Sequence, residues 1–178
     1  ARYENGARGI YRFYLGYNAD PDRIAYFEDA LDAVTAAGVQ VTGFIHPLHA
    51  WREEALFRAG REDAYFDLRR DLTALFDRYS EREAAEPCTQ GGSAVLWDFS
   101  GYQDFAVQPA PAPYATTAHP LFYEPSHYLP HVGQAMLDRM QGRSGDDLFD
   151  AEVFGVRLTG ETLAETEDAI RVRRQAWL

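Results

Sequence analysis

The residues with the clearest potential for chemistry in this chain are a glutamate and a histidine three positions apart. They lie in the stretch 122–128, which reads FYEPSHY, just before a helix that is predicted to begin near Pro130. Pro125 restricts Glu124 to extended backbone geometry, so Glu124 and His127 can lie on one side of a turn. There the carboxylate could orient the imidazole and stabilise its protonated form, which is the supporting half of nucleophilic catalysis. The alternative is a glutamate paired with a surface arginine and a half-buried histidine among aromatic residues.

A helix, a tight turn and a strand are predicted upstream of a second group of polar residues. Asp20 followed by Pro21 is a helix start signal. Apolar residues at helical spacing then predict a helix over 21–37, and Gly38 ends it. The β-branched run 39–45 predicts a buried strand. This succession of helix and strand indicates an α/β fold.

The loop after this strand carries His46 and His49, followed by Trp51. Open α/β sheets place their ligand sites at the carboxyl ends of strands, so the loop is predicted to be structural or to face a substrate. Two histidines could instead bind a metal, but a catalytic zinc site needs three protein ligands. A metal hydrolase that uses both residues and His127 is the least favoured alternative, and no cofactor is predicted. The single cysteine, Cys88, excludes an intramolecular disulfide and a cysteine-rich metal site.

A second buried strand is predicted over 94–99, and it also ends in polar side chains. Asp98 and Ser100 would share a sheet edge with His46 if the two strands are parallel. Ser100 is the best internal candidate for a nucleophile, although serines at strand ends more often cap turns. The chain has no Gly-x-Ser-x-Gly motif, because the run 91–95 (GGSAV) lacks the final glycine.

Helical periodicity accounts for much of the remaining chain. Helices are predicted over 52–83, in two pieces around Gly60, and over 130–141. The main α/β domain is predicted to span residues 1–150. Residues 151–178 are predicted to form a strand and a mostly charged helix that acts as a docking or oligomer arm.

Composition excludes several classes of function. The 178 residues carry a formal net charge of -11, and such a chain lacks the clustered cations that neutralise nucleic-acid phosphates. No apolar run approaches the roughly 20 residues that a membrane span requires. The polar start, residues 1–6, is neither a signal peptide nor a methionine start, which points to processing, truncation or an upstream segment.

Three short motifs follow one another in an order that resembles a known family. They are FIHPLHA at 44–50, LWDFSGY at 96–102 and FYEPSHY at 122–128. Their succession looks like the carboxyl-terminal half of an SGNH-hydrolase-like domain. It is most similar to bacterial envelope acyltransferases, namely alginate O-acetyltransferases and D-alanyl-lipoteichoic-acid transfer proteins. The resemblance covers about residues 20–142.

The resemblance implies a three-layer α/β/α domain of the flavodoxin-like SGNH type, with a Ser-His-acid site that moves an acyl group on or off a carbohydrate. By position, His127 would be the general base, and Glu124 would be the supporting acid in place of the more usual aspartate. The family's nucleophilic serine lies in a Gly-Asp-Ser block on the first strand, and this chain has no such block. The resemblance therefore implies that the first strand is missing and that the chain alone is inactive. An upstream segment or a companion chain would complete the sheet.

Two functions follow from this resemblance. The first is acyl (acetyl) transfer or ester hydrolysis on a cell-envelope carbohydrate, with a serine from outside the chain and a periplasmic or extracellular location. The alternative is a catalytically inactive structural or carbohydrate-binding subunit of a larger assembly. Some of the nearby aromatic rings could stack on sugars, unless they pack in the core. The residues predicted to contact substrate are His46, His49, Trp51, Asp98, Tyr102 and Tyr123.

Overall fold

The chain contains both helices and strands, which confirms the predicted α/β class. A computed structural model describes residues 13–15, 22–85, 92–111, 118–143, 149 and 153–178. The elements are α1 (Arg23–Ala36), β1 (Val41–Ile45), α2 (Ala50–Arg58), α3 (Glu62–Ala85), β2 (Ala94–Asp98), β3 (Phe122–Glu124), β4 (His127–Tyr128), α4 (Pro130–Met140), β5 (Val156–Leu158) and α5 (Leu163–Trp177). Cys88 and the predicted boundary between residues 150 and 151 lie outside the described residues.

Three strands form the main sheet in the order β1–β2–β5. β1 and β2 run parallel, in a register that pairs Val41 with Ala94 and Ile45 with Asp98. β5 pairs with β2 in the antiparallel direction. Because β1 and β2 are parallel, their carboxyl ends lie at the same edge of the sheet, and His46 follows β1 at that edge as predicted.

β1 lies at an edge of the sheet, although its apolar sequence predicted a buried strand. Val41, Gly43 and Ile45 are half-buried, whereas Thr42 and Phe44 on the other face are exposed. Among the described strands only β2 pairs with β1. A parallel strand becomes buried when it has neighbours on both sides and helices on both faces. The prediction was therefore wrong because one neighbour is lacking in the described structure, and the residue types were read correctly.

One face of the sheet packs against α1 and α3. Leu31 of α1 and Leu75 and Phe76 of α3 form a core cluster with Leu96 of β2. Gly43 of β1 permits the close approach of α3, because a Cβ at this position would lie 2.5 Å from Cζ of Phe76. The sheet face and the two helices thereby exclude water from a continuous apolar layer.

The opposite face of the sheet carries α4 and the β3–β4 hairpin. Trp97 alternates with its neighbours along β2 and therefore points away from α3. It packs against a second core cluster, to which α4 contributes Val132 and Met136 and the hairpin contributes Phe122. Since Phe122 is buried in this cluster, the first strand of the hairpin is fixed to the body of the protein.

The long helical stretch after residue 50 is split into α2 and α3, as predicted. Gly60 lies between them with φ +69°, a left-handed conformation that glycine adopts at little cost and that commonly ends a helix. α3 buries most of the predicted apolar stripe. The buried members are Tyr65, Leu72, Leu75 and Phe76, and Leu68 is partly buried.

The C-terminal segment packs against the rest of the chain. α5 buries Ile170, and Glu167 pairs with Arg70 of α3 at 2.8 Å. Arg174, near the end of α5, pairs with Glu54 of α2 at 2.8 Å. Together with the pairing of β5 and β2, these contacts make residues 153–178 part of the same folded unit. A docking or oligomer role for this segment stays a prediction.

Candidate functional site

The predicted glutamate–histidine pair lies on the β3–β4 hairpin. Glu124 stands opposite His127 across the two antiparallel strands, with Pro125 and Ser126 forming the turn between them. Oε1 of Glu124 is hydrogen-bonded to Nδ1 of His127, and Oε2 accepts the backbone N–H of Ser126 at 3.0 Å. Because both carboxylate oxygens are engaged, the carboxylate is held in one orientation towards the imidazole.

The electrostatics of this pair favour an ionised glutamate. Partial burial raises the pKa of Glu124, but the hydrogen bonds from His127 and from the Ser126 amide outweigh burial and hold the pKa below its usual value. The His127 side chain is 78% exposed. Its Nδ1 faces the carboxylate, and no hydrogen bond within the described structure uses Nε2. Nε2 is therefore the nitrogen that can take a proton from a nucleophile.

The hairpin is anchored beside the carboxyl end of β1. The backbone N–H of His49, in the loop after β1, donates to the carbonyl oxygen of Pro125 at 3.0 Å. At the start of the same loop, the pKa of His46 is lowered by desolvation and by the positive charges of Arg52 and His127. The pair therefore stands at the sheet edge where open α/β sheets bind ligands.

His49 was predicted to face a substrate, whereas the structure buries its side chain to 1% exposure. Its Nδ1 accepts the backbone N–H of Trp51 at 3.2 Å and caps α2. Its Nε2 lies 3.0 Å from the carbonyl oxygen of Gln108. Burial lowers the pKa of His49 to about 4; the Gln108 hydrogen bond opposes this shift, and His119 adds to it. At neutral pH His49 is an uncharged, structural histidine.

Asp98 and Ser100 are also buried, at 2% and 3% exposure. Asp98 accepts a hydrogen bond from Nε of Arg69 at 2.8 Å and another from the backbone N–H of Ser100 at 2.8 Å. The Ser100 hydroxyl is hydrogen-bonded to both Asp98 and Arg69. The Ser100 hydroxyl therefore bonds Asp98 and Arg69 and makes no hydrogen bond to His127. The serine caps a turn, which was the predicted alternative to a role as nucleophile. Asp98 was predicted to contact substrate, whereas the structure buries its carboxylate against Arg69 and Ser100.

The three candidate aromatic residues lie in different environments. Tyr102 was predicted to contact substrate, whereas the structure buries it to 1% exposure, with its hydroxyl donating to Glu54 at 3.0 Å. Trp51 is half-buried and lies edge-on to His49, with a ring separation of 6.3 Å. Tyr123 is 60% exposed and precedes Glu124. It is the one of the three with a ring fully open to a ligand.

Glu53 is a buried acid that no sequence pattern singled out. Its carboxylate accepts the backbone N–H groups of Gly101 at 2.9 Å and of Tyr102 at 3.2 Å. Burial raises the pKa of Glu53 to about 7, and the charge of Arg69 acts against this shift. Gly101 and Tyr102 have φ values of +88° and +57°, and consecutive left-handed residues can direct their N–H groups at one anion. The sequence offered only one sign of a buried acid here, namely the two adjacent glutamates, Glu53 and Glu54, on an amphipathic helix.

No arrangement of metal ligands accompanies the pair in the part of the chain that the structure describes. There, no group of three or more His, Cys, Asp or Glu side chains could hold a metal ion. None of the described helices combines the length and the apolar character needed to cross a membrane. The chain matches no protein-family model, no curated protein and no solved structure. Its functional interpretation therefore rests on the geometry of its own residues.

Proposed function

We propose that this chain supplies the histidine and the supporting acid of an SGNH-type catalytic site. The reaction is transfer of an acyl (acetyl) group to a cell-envelope carbohydrate, or hydrolysis of an ester on it. The observation that carries this proposal is the Glu124–His127 pair on the hairpin, in which an ionised carboxylate holds Nδ1 and leaves Nε2 exposed. Such a pair has the components of a general base that activates a hydroxyl nucleophile.

The serine nucleophile comes from an upstream segment or from a companion chain. β1 is paired on one side only within the described structure. A further parallel strand on its open side would end at the same edge of the sheet as His46. The loop after β1 holds the Pro125 turn through the His49 N–H at 3.0 Å, so a serine placed just after that strand would reach the sheet edge at which the pair stands. Elements that accompany the strand would cover Phe44, which is 43% exposed.

The same added strand would give the three-layer arrangement of the proposed domain. α1 and α3 pack on one face of the sheet and α4 on the other, so helices already stand on both sides. The exposed ring of Tyr123 offers a stacking surface for a sugar beside Glu124. A carbohydrate of the cell envelope as acceptor, and a periplasmic or extracellular location, belong to this proposal.

The mechanism follows from the position of each proton. The serine oxygen attacks the acyl carbonyl carbon while Nε2 of His127 takes the hydroxyl proton. Glu124 stabilises the resulting imidazolium through Nδ1 and remains ionised. The imidazolium then returns the proton to the leaving alkoxide, which releases an acyl-serine. A carbohydrate hydroxyl or a water, deprotonated by the same nitrogen, then attacks the acyl-serine. The bond from the acyl carbon to the serine oxygen breaks, and the imidazolium returns its proton to that oxygen, which completes the transfer or the hydrolysis.

The test is hydrolysis of p-nitrophenyl acetate by the full-length protein, purified together with any companion chain. A positioned general base contributes about 10²–10⁴-fold, and His127→Ala is expected to lower kcat/KM by that factor. His131→Ala is the matched control, because His131 is exposed on α4 and makes no hydrogen bond to the pair; it is expected to keep the wild-type rate. Equal rates for wild type and His127→Ala would rule out the proposed function.

A catalytically inactive carbohydrate-binding subunit is the second candidate. It is favoured by the burial of Ser100, which leaves no serine hydrogen-bonded to His127 in the described part of the chain. This candidate predicts that the full-length protein hydrolyses no acetyl ester and binds acetylated oligosaccharides equally well before and after His127→Ala. Tyr123→Ala would then weaken binding, since it removes the exposed ring on which a sugar could stack.

A further inference from the structure

His49 connects the loop after β1 with three other segments around the Glu124–His127 pair. Its backbone N–H donates to the carbonyl oxygen of Pro125 at 3.0 Å, inside the turn that separates the pair. Its Nδ1 accepts the N–H of Trp51 at the start of α2, at 3.2 Å. Its Nε2 lies 3.0 Å from the carbonyl oxygen of Gln108. One residue therefore ties the hairpin turn to a helix start and to the coil after β2.

The imidazole of His49 is enclosed by the rings that hold the first strand of the hairpin. His119 and Phe122 lie edge-on to it, with ring separations of 5.4 and 5.5 Å. Nδ1 of His119 accepts the backbone N–H groups of Leu121 at 3.0 Å and of Phe122 at 3.1 Å. A change in the His49 side chain therefore reaches the hairpin both through the turn at Pro125 and through the packing of Phe122.

The hydrogen bonds of His49 select one neutral tautomer. A carbonyl oxygen can only accept, so Nε2 carries the proton that points to Gln108, and Nδ1 keeps its lone pair for the N–H of Trp51. A protonated ring would set two N–H groups against each other at the start of α2. The side chain thus has one arrangement that satisfies both neighbours.

We propose that His49 is a positioning residue for the pair. Its imidazole fixes the loop whose amide holds the Pro125 turn, and this turn sets the direction in which Glu124 holds His127. The inference rests on the proposed function, in which the pair is the general base, and it assigns His49 no contact with substrate. A misplacement of about 1 Å in a catalytic constellation can cost about 10²-fold in rate, so loosening the turn is expected to act on the chemical step.

Three variants separate the two hydrogen bonds of the ring. His49→Ala removes both. His49→Asn keeps an acceptor at the place of Nδ1 and loses the donor to Gln108, whereas His49→Gln keeps a donor near the place of Nε2 and loses the helix cap. Thr162→Ala is the matched control, because it removes a side-chain hydrogen bond at the start of α5, to the N–H of Thr159 at 3.0 Å.

The first readout is the tautomer of His127, measured by NMR at pH 8 on the full-length protein with ¹⁵N-labelled histidine. This chain contributes only five histidines. In the wild type the proton is expected on Nδ1, facing Glu124. In His49→Ala the Nδ1–H population is expected to fall by about half or more, because an unrestrained imidazole samples both tautomers. Thr162→Ala is expected to keep the wild-type tautomer.

The second readout is kinetic, with p-nitrophenyl acetate as substrate. His49→Ala is expected to lower kcat by about tenfold or more, with KM within about twofold, since an orienting residue acts on the transition state.

A folded His49→Ala variant with the wild-type His127 tautomer would overturn the proposal. If His49→Ala fails to fold, the Asn and Gln variants decide: intermediate tautomer populations support the proposal, and wild-type populations in both overturn it. A wild type without esterase activity would defeat the proposed function alone, because the tautomer measurement still tests His49.

Discussion

Two parts of the molecule set an acidic side chain beside a possible catalytic group. On the hairpin, Glu124 holds His127, whose side chain is 78% exposed. At the end of β2, Asp98 holds Ser100, and both are buried against Arg69. The residue types at either place would suit catalysis. What separates them is that Nε2 of His127 is open to a reactant, whereas the Ser100 hydroxyl is already hydrogen-bonded on both sides.

Burial converts the pair at the end of β2 from a reactive pair into a structural one. Arg69 and Asp98 are each 2% exposed, and their ion pair measures 2.8 Å. Arg69 also lies 3.6 Å from the ring centre of Tyr65. In a buried ion pair each charge offsets the cost of removing the other from water. Removal of one partner therefore leaves the other as an unpaired buried charge. On the exposed hairpin, water can solvate either partner, so stability depends little on the pair.

The largest expected effect comes from Arg69→Met. This change leaves Asp98 as an unpaired buried charge, and the free energy of unfolding is expected to fall by about 3–5 kcal/mol. Urea denaturation followed by circular dichroism measures it. Arg78→Met is the control, since Arg78 and Glu28 form an exposed pair at 2.6 Å that is expected to contribute under about 1 kcal/mol. Equal losses in the two variants would remove the distinction between buried and exposed pairs.

The next effect is a pH dependence that Glu53 contributes. Its pKa is raised to about 7 in the folded protein, with burial as the main cause, so the folded state binds the proton more tightly than the unfolded chain. Stability from this group is full below the unfolded pKa and is lost as pH rises towards 7 and above. Relative to Glu53→Gln, the wild type is expected to lose about 3 kcal/mol between pH 4 and pH 8.

The Glu53 prediction is checked by urea unfolding of both proteins at several pH values. The difference between wild type and variant isolates Glu53, because Glu124, His46 and His49 titrate in both proteins. Their lowered pKa values make stability rise with pH, in the opposite direction. A difference that stays constant from pH 4 to pH 8 would contradict the assignment.

Ser100→Ala has a smaller expected effect, and it acts on stability alone. The variant loses the side-chain hydrogen bonds to Asp98 and Arg69 but keeps the backbone N–H to Asp98 at 2.8 Å. The free energy of unfolding is expected to fall by about 1–2 kcal/mol, as measured by urea denaturation. The rate of p-nitrophenyl acetate hydrolysis at a temperature well below the unfolding transition is expected to stay within about twofold. A loss of activity comparable to that of His127→Ala would make Ser100 the nucleophile after all.

Glu124→Gln has the smallest expected effect on stability and a large one on rate. The side chain of Glu124 is 30% exposed and its partner 78% exposed, so the free energy of unfolding is expected to change by under about 1 kcal/mol. An amide cannot stabilise the imidazolium as a carboxylate does, and kcat for the acetyl ester is expected to fall by about tenfold to a thousandfold. If instead stability fell sharply and kcat did not, the hairpin pair would be the structural one.

Local signals in the sequence predicted the helices and the strands of the main sheet, but not the β3–β4 hairpin. Gly60 marks the boundary between α2 and α3, and periodic apolar residues mark the buried stripe of α3. Asp20 and Pro21, the predicted start of α1, lie outside the described residues, and the structure has Asp22 as the N-cap of this helix. The Glu124–His127 contact was also predictable, because only three residues separate the partners and Pro125 limits the geometry between them.

The roles of the buried polar residues could not be predicted, because their partners are distant in sequence. Asp98 bonds Arg69 across 29 positions, and His49 bonds Gln108 across 59. The carboxylate of Glu53 meets Gly101 across 48 positions. The sequence correctly placed His49 and Asp98 near the carboxyl ends of strands. It could not show that they are buried, because burial at that edge depends on which helices cover it.

The most direct test of the proposed function is to locate the nucleophile that His127 is proposed to activate. The full-length protein would be treated with a fluorophosphonate, which labels activated serines, and the modified peptide would be mapped by mass spectrometry in wild type and His127→Ala. The account predicts one labelled serine outside these 178 residues, with labelling slowed by about 10²-fold or more in the variant. Labelling of Ser100, or labelling at the same rate in both proteins, would contradict it.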